Sequence, residues 1–395
     1  MRRKIKIING SIITTHRILE HANILVSDNK ITKISQDNLN EDADTVIDAE
    51  GYYVSPGFID IHVHGGGGSD FMDGTVKDFL TVGETHARYG TTTMIPTTLT
   101  ADKNQLINTL EVYREANKKN QYGSQFMGMH LEGPYFAMNQ RGAQDPRYIR
   151  KPNFEEYSEI IRREGDIIAR WSAAPEIDGA LEFGRYLVEH NILPAMAHTD
   201  AVYEDVVGAF ENGYTLATHF YSGMSGVSRK KAFRYAGVIE SVYLIDEIDT
   251  EIIADGVHLP APFLKLIYKV KGVDRIALVT DAMRAAGTNV KESVLGSRTN
   301  GLKVLIEDGV AKLPDRSSFA GSVATADRLL RTMTGIGEVP LVEAVRMLSL
   351  TPARIMKLDK QKGSLSVGKD ADIVIFDKDI KIHTVIIAGN IVSKS

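Results

Sequence analysis

The sequence predicts an α/β protein: a (β/α)8 TIM-like barrel carrying a small β-sandwich domain built from both chain termini. Three observations predict it. Apolar strand-like runs alternate with amphipathic stretches through the middle of the chain. Short strands separated by turn signals occupy both ends. Metal-ligand residue types recur at the ends of the middle strands, where barrels of this class place their chemistry.

Taken in order, the first fifty residues read as strands Lys4–Ile8, Ala22–Val26, Lys30–Ser35 and Thr45–Asp48, punctuated by Asn9-Gly10 and Asp28-Asn29. The last thirty look alike, with Ile373–Phe376, His383–Ala388 and a Gly389-Asn390 turn. Residues 1–55 and 357–395 are therefore expected to combine into one β domain around a barrel of residues 56–356.

The barrel strands are read as Phe58–His64, Thr92–Thr97, Phe126–Leu131, Ile168–Ala174, Leu193–His198, Thr215–Phe220, Ile252–Asp255 and Ile276–Thr280. Parallel strands buried on both faces read as continuous apolar runs, as these do. Helical stretches such as Val76–Tyr89, Asn104–Asn117 and Phe154–Glu164 lie between them. An open doubly wound sheet is the alternative, but no Gly-x-Gly-x-x-Gly follows the first strand. Gly65–Gly68 precede Ser69-Asp70 and read as a flexible loop.

Composition excludes several function classes. The net charge is −5 with mixed signs, so no polybasic surface points to nucleic acid or membrane. No run approaches the roughly 20 apolar residues of a membrane span. The stretch behind basic Met1-Arg2-Arg3-Lys4 is short and broken by Lys6 and Asn9, unlike a signal peptide, so a soluble cytoplasmic protein is expected. With no cysteine, disulfides and thiolate ligands are excluded, and any metal must be held by imidazole and carboxylate.

His62-Val63-His64 ends the first barrel strand, and alternation sends both imidazoles to one face. Glu132 ends the third strand, His198 the fifth, His219 the sixth and Asp281 the eighth, while His258 follows the seventh. Singly, a histidine is more often structural, which is the reading for His16, His21, His86, His190 and His383; Glu132 and Asp281 have an ordinary reading as caps. Jointly, the strand-end placement points to a site. Such ligands suit divalent transition metals, zinc or iron first, with manganese and cobalt as alternatives. Five or six ligands exceed one tetrahedral ion and suit two ions about 3.5–4 Å apart. A bound ion lowers the pKa of water toward about 7. Asp281 is then a natural general base and acid, and the assembly suits hydrolysis of an amide or related C–N bond.

These residues resemble the amidohydrolase superfamily and, within it, the N-acetylglucosamine-6-phosphate deacetylase family. The markers are Pro56-Gly57-Phe58-Ile59-Asp60-Ile61-His62-Val63-His64-Gly65, His130-Leu131-Glu132-Gly133-Pro134, Ala197-His198-Thr199-Asp200-Ala201, Thr218-His219, Asp255-Gly256-Val257-His258, Val279-Thr280-Asp281-Ala282-Met283 and Phe319-Ala320-Gly321-Ser322. The tail from Gly363-Ser364-Leu365 through Gly368-Lys369-Asp370-Ala371-Asp372 is common across the superfamily. The resemblance implies that Glu132, His198 and His219 hold one ion and that His62 and His64 permit a second. It implies Asp281 as acid/base, His258 on the sugar or its carbonyl, and the turn at Ser322 near the acetamido group. It also implies an amino-sugar phosphate substrate, acetate release and a homodimer.

The chain departs from the family pattern after the sixth strand, where Ser222-Gly223 and the basic Arg229-Lys230-Lys231-Ala232-Phe233-Arg234 stand in the phosphate-holding region. Lys230 and Arg234 are the cations assigned there, because an arginine fork suits phosphate. Gln144 stands where the family has a histidine. Three competing readings are another N-acylated amino sugar, a cyclic-amide hydrolase or nucleobase deaminase on the same barrel, and a metal-free scaffold. Glu132 within Leu-Glu-Gly-Pro argues against the second, and retention of all six candidate ligands against the third.

Overall fold

The computed structural model describes residues 3–394. Both chain ends pair into one eight-stranded sheet in the order Asn390–Lys394, Ile382–Ile387, Ile373–Phe376, Tyr53–Pro56, Lys4–Ile13, Ile18–Ser27, Lys30–Ser35, with Thr45–Asp48 added alongside Lys4–Ile13. The antiparallel ladder between Tyr53–Pro56 and Ile373–Phe376 joins the N-terminal and C-terminal parts. Alternation along Lys4–Ile13 buries Ile5 and Ile7 against Ile24, Val26, Ile373 and Ile375. Asn9-Gly10, read from the sequence as a turn, is instead an irregularity inside one ten-residue strand. Asn9 takes φ 57°, and a Cβ on Gly10 would lie 2.5 Å from Val54, so Gly10 is needed for close approach.

Between the ends run eight parallel strands: β1 (Phe58–Val63), β2 (Thr91–Pro96), β3 (Met129–Glu132), β4 (Ile168–Ala173), β5 (Leu193–Met196), β6 (Leu216–Ala217), β7 (Asp249–Ile253) and β8 (Ile276–Val279). A short piece, Gln125–Phe126, pairs with β2 just before β3. The third strand is thus split, at Met127-Gly128, where Gly128 has φ 94°. β1 pairs with β2, and the ladder from β3 to β8 runs in sequence order. Isolated parallel bridges join the two sheets at both margins, Thr97 to His130 and Val63 to Ala282. Ile59, Ile61, Ile95, Ala195, Leu216, Ile253, Ala277 and Val279 form one buried cluster across these strands.

The flanking helices start where the sequence supplies caps. Thr75 accepts from Asp78 N, Asp102 from Asn104 N and Gln105 N, and Asn153 from Glu156 N. Their buried residues recur at helical spacing, as in Leu106, Ile107, Leu110 and Tyr113 of Lys103–Lys119. Gly65–Gly68, expected to be flexible, form a tight hairpin in which Gly65–Gly66 pairs with Ser69–Asp70. Gly67 and Gly68 both take positive φ, 62° and 86°, as a hairpin turn of the right twist requires. After β8, a four-stranded antiparallel sheet covers residues 292–322, and its last strand, Phe319–Ser322, returns to the strand end: Ser322 N donates to Asp281 O at 2.8 Å. Among the described residues, no helix is long and apolar enough to cross a membrane.

Candidate active site

The C-terminal ends of five of these strands deliver the polar cluster. His62 lies on β1 and His64 just beyond it, Glu132 closes β3, and His198, His219 and Asp281 each stand two residues past β5, β6 and β8. The last three share an uncommon backbone, with φ of 47°, 33° and 46°. A left-handed conformation costs a non-glycine residue about 1–3 kcal/mol and persists where surrounding structure enforces it. Here the next residues are tied down: Thr199 N donates to Gly223 O at 2.9 Å and Phe220 N to Glu251 O at 2.7 Å, while Asp281 N itself donates to His62 O at 2.9 Å. The sharp turn aims each side chain across the strand ends.

The donor atoms converge. His62 Nε2 lies 3.3 Å from His64 Nε2 and 3.4 Å from Glu132 Oε1, and His64 Nε2 is 3.5 Å from Glu132 Oε2. On the other side of Glu132, Oε1 is 2.9 Å from His219 Nε2 and 3.5 Å from His198 Nε2, and those two nitrogens are 3.2 Å apart. The residues therefore form two groups able to hold a metal ion, His62/His64/Glu132 and Glu132/His198/His219. Ligands on a tetrahedral ion with bonds of about 2.1 Å stand about 3.4 Å apart. The observed spacing matches that value, and pairs of imidazole nitrogens facing each other have no better common partner than a cation. The chain fits the divalent metal its ligand set suggests.

Electrostatics agree with an ionised carboxylate pair. Burial pushes Glu132 upward, but the surrounding imidazoles of His62, His198 and His219 hold it well below the usual carboxylate range. Burial likewise opposes ionisation of Asp281, and His62 and His64 outweigh it and lower its pKa. Asp281 Oδ1 is 3.0 Å from His64 Nε2 and 3.5 Å from His62 Nε2.

A cavity of roughly 480 Å³ opens above this cluster. His64, Glu132, Gln144, His198, His219, Ser222, Gly223, His258 and Asp281 all line it, while His62 lies fully buried beneath. Gln144 Nε2 donates to Glu132 Oε2 at 2.6 Å and its Oε1 accepts from Thr100 N at 2.9 Å, so its amide grips the carboxylate. His258 Nδ1 faces Asp255 Oδ2 at 2.8 Å, and its ring packs against Phe319 at 4.6 Å.

Three sequence-read substrate positions fall outside the cavity wall. Lys230 and Arg234 lie on an exposed two-stranded hairpin, Ser228–Lys230 with Phe233–Tyr235. Ser322 is fully buried with its hydroxyl donating to Thr280 O, and its neighbour Gly321 lines the wall in its place. Conversely, sequence reasoning missed the two cations that do line the wall, Lys312 and Arg316. Lys312 ends the third strand of the sheet after β8 and Arg316 lies in the turn that follows it; the return of that sheet to the site is a tertiary event with no local signal. It also missed Glu251 and Arg170, charged residues fully buried within β7 and β4.

The model of the amidohydrolase family matches residues 53–392. The N-acetylglucosamine-6-phosphate deacetylase of Lysinibacillus sphaericus is 32% identical over 372 residues, covering 94% of this chain and 93% of that protein. The N-acetylgalactosamine-6-phosphate deacetylase of Escherichia coli O157:H7 is 31% identical over 350 residues, covering 88% and 90%. Among solved structures, a variant of the Mycobacterium smegmatis N-acetyl-D-glucosamine-6-phosphate deacetylase in complex with N-acetyl-D-glucosamine-6-phosphate superposes with a TM-score of 0.90 at 26% identity, covering 100% of both chains.

Proposed function

The chain belongs to the amidohydrolase family, and from that premise we propose that it hydrolyses the N-acetyl group of N-acetylglucosamine 6-phosphate, giving glucosamine 6-phosphate and acetate. One observation carries the reading: two ligand groups share Glu132 at a cavity that also holds Asp281, in a chain similar over nearly its full length to deacetylases of amino-sugar phosphates.

The eight ordered parallel strands and the bridges at both margins support a closed (β/α)8 barrel of residues 56–356. The terminal sheet supports a second domain of residues 1–55 and 357–395. Glu132, His198 and His219 would hold one divalent transition ion, zinc or iron first, and His62 and His64 with Glu132 would hold a second. The mixed-sign charge supports an enzyme of small molecules, which we place in the cytoplasm. Exposed Val227, next to the basic hairpin, and Phe233 within it support a homodimer.

A divalent ion, when bound, supplies Lewis-acid polarisation and eases deprotonation of water. The chain's own residues do the rest. Asp281, ionised at neutral pH, takes a proton from the attacking water. The water oxygen bonds to the acetyl carbonyl carbon, the C–N bond breaks, and Asp281 returns the proton to the departing amine nitrogen. His258, with Nδ1 fixed on Asp255, presents Nε2 to the substrate. Ser222 and Gly223 approach the sugar, and Lys312 and Arg316 place positive charge at the wall for the phosphate.

The test is acetate release by metal-replete protein from N-acetylglucosamine 6-phosphate, beside N-acetylgalactosamine 6-phosphate and unphosphorylated N-acetylglucosamine. Strong preference for a phosphate ester, abolished by chelator, is expected. A faster galactosamine arm moves the substrate to that epimer, a reading favoured by the 31% identical relative. No acetate from any N-acetylhexosamine phosphate with metal bound defeats the proposal.

A further inference from the structure

Beneath the ligand cluster lies a charged pair that packing alone does not call for. Arg170 on β4 and Glu251 on β7 are both fully buried. Arg170 Nη1 pairs with Glu251 Oε1, and Arg170 Nη2 lies 3.2 Å from Oε2. Arg170 Nη2 also reaches Thr218 Oγ1 at 3.3 Å and His130 Nε2 at 3.2 Å. A buried ion pair is often no more stabilising than apolar residues of the same volume, because both charges lose water. Its presence in the strand interior asks for another reason.

Glu251 touches two of the ligand residues. Its Oε2 faces His62 Nδ1 at 3.2 Å and accepts from the His219 backbone N at 3.4 Å. With Nδ1–H directed at the carboxylate, the His62 lone pair sits on Nε2, the atom that meets His64 and Glu132. Each ligand group contains one anchored imidazole. In the group of Glu132, His198 and His219, His198 Nδ1 faces the Gln140 carbonyl at 2.8 Å. In the group of His62, His64 and Glu132, the anchor is Glu251, a charged one. The remaining rings, His64 and His219, have Nδ1 atoms with no hydrogen-bond partner among the described residues. The orientation of the His62/His64 group therefore depends on a carboxylate that Arg170 in turn holds in place.

We infer that Glu251 and Arg170 are positioning residues for the ion at His62 and His64, fixing the His62 tautomer so that this pair forms a second metal position distinct from that of His198 and His219. Carboxylates behind ligating histidines are a known means of tuning metal affinity. The inference rests on the metal-hydrolase reading above and deepens it: it says which ion depends on which buried pair.

The experiment titrates metal-free full-length protein with zinc against a chromophoric chelator, counts ions per chain by elemental analysis, and records cobalt(II) absorption. Acetate release by the wild type is measured alongside. The wild type is expected to take two ions. Glu251→Gln is expected to keep the first unchanged and to bind the second about ten- to a hundred-fold more weakly, with one of two cobalt(II) signatures lost. Arg170→Met/Glu251→Gln removes both charges, keeps the fold if Glu251→Gln alone does not, and is expected to show the same selective loss. Two ions at wild-type affinity in the variants, equal weakening of both ions, or a wild type that holds only one ion would each overturn the inference. A wild type that binds no metal and releases no acetate instead removes the hydrolase reading itself.

Discussion

Asp281 sits in a left-handed turn, buried, with its Oδ1 3.0 Å from His64 Nε2. An amide in its place keeps the shape but cannot take a proton. Asp281→Asn is expected to retain fold and metal, since the two ligand groups do not include it, and to lose about 10²–10⁴-fold in turnover. Near wild-type kcat in that variant, with metal confirmed by elemental analysis, removes the acid/base role. The phosphate end allows a sharper comparison. Lys312 and Arg316 line the cavity, paired with Asp308 and Glu307 at 2.5 and 2.8 Å. Exposed pairs of this kind contribute about 0–1 kcal/mol to stability, so Lys312→Ala/Arg316→Ala should leave the melting temperature nearly unchanged. It should raise KM for the phosphate ester about tenfold, equivalent to about 1.4 kcal/mol, with the unphosphorylated sugar unaffected. If Lys230→Ala/Arg234→Ala raises KM and the Lys312/Arg316 variant does not, the phosphate is met by the hairpin of a neighbouring copy. The ligand histidines were legible because each ends an apolar run; Lys312 and Arg316 were not, because their place at the wall depends on a sheet folding back over β8.

At the scale of elements, the parallel strands were legible to within a few residues because burial on both faces makes most of them largely apolar, as in β1, β5 and β8. The four-stranded sheet after β8 has short, half-exposed strands such as Glu292–Leu295, so its alternation is weak. The glycine hairpin was misread as flexible because sequence shows the conformational freedom of glycine but not what closes around it. Here His86 Nε2 meets Gly65 O at 2.9 Å, and a Cβ on Gly67 would lie 2.2 Å from Thr85 Oγ1. The turn after β6 is equally constrained. Gly223 has φ 59°, and a Cβ there would stand 2.9 Å from both His198 Nδ1 and Gln140 O, the two atoms of the His198 anchor. Gly223→Ala is therefore expected to weaken the ion at His198 and His219 by about tenfold or more and to cost at least about 1 kcal/mol in stability through the forced positive φ. Chelator competition reads the first effect and denaturant unfolding the second. Unaltered metal affinity shows that the turn can shift without moving His198.

For the whole molecule, the strand ends concentrate buried imidazoles and carboxylates that a bound cation reconciles, so metal and stability are linked. Ions that bind only the folded chain add about 4 kcal/mol each when present at a thousand times Kd. Chelation should lower the melting temperature, and zinc should restore it in a concentration-dependent way. In the metal-free protein a further dependence on pH is built in. Burial pushes the Asp60 carboxyl up to about 7, against an ordinary value of 3.8, although Thr280 and the His62 backbone donate to it. Between those two values the folded chain holds a proton that the unfolded chain has released. By linkage, this group makes stability fall as pH rises from about 4 to about 7, with the full penalty present above 7. Asp60→Asn cannot ionise and escapes that penalty while keeping an oxygen for the backbone N–H groups of His62 and Thr280. Relative to wild type, the chelated variant should therefore gain more in melting temperature at pH 8 than at pH 5. An equal difference at both pH values would show that Asp60 does not change its charge across that window, and that the strand interior beneath the metal ligands tolerates an ionised carboxylate at neutral pH.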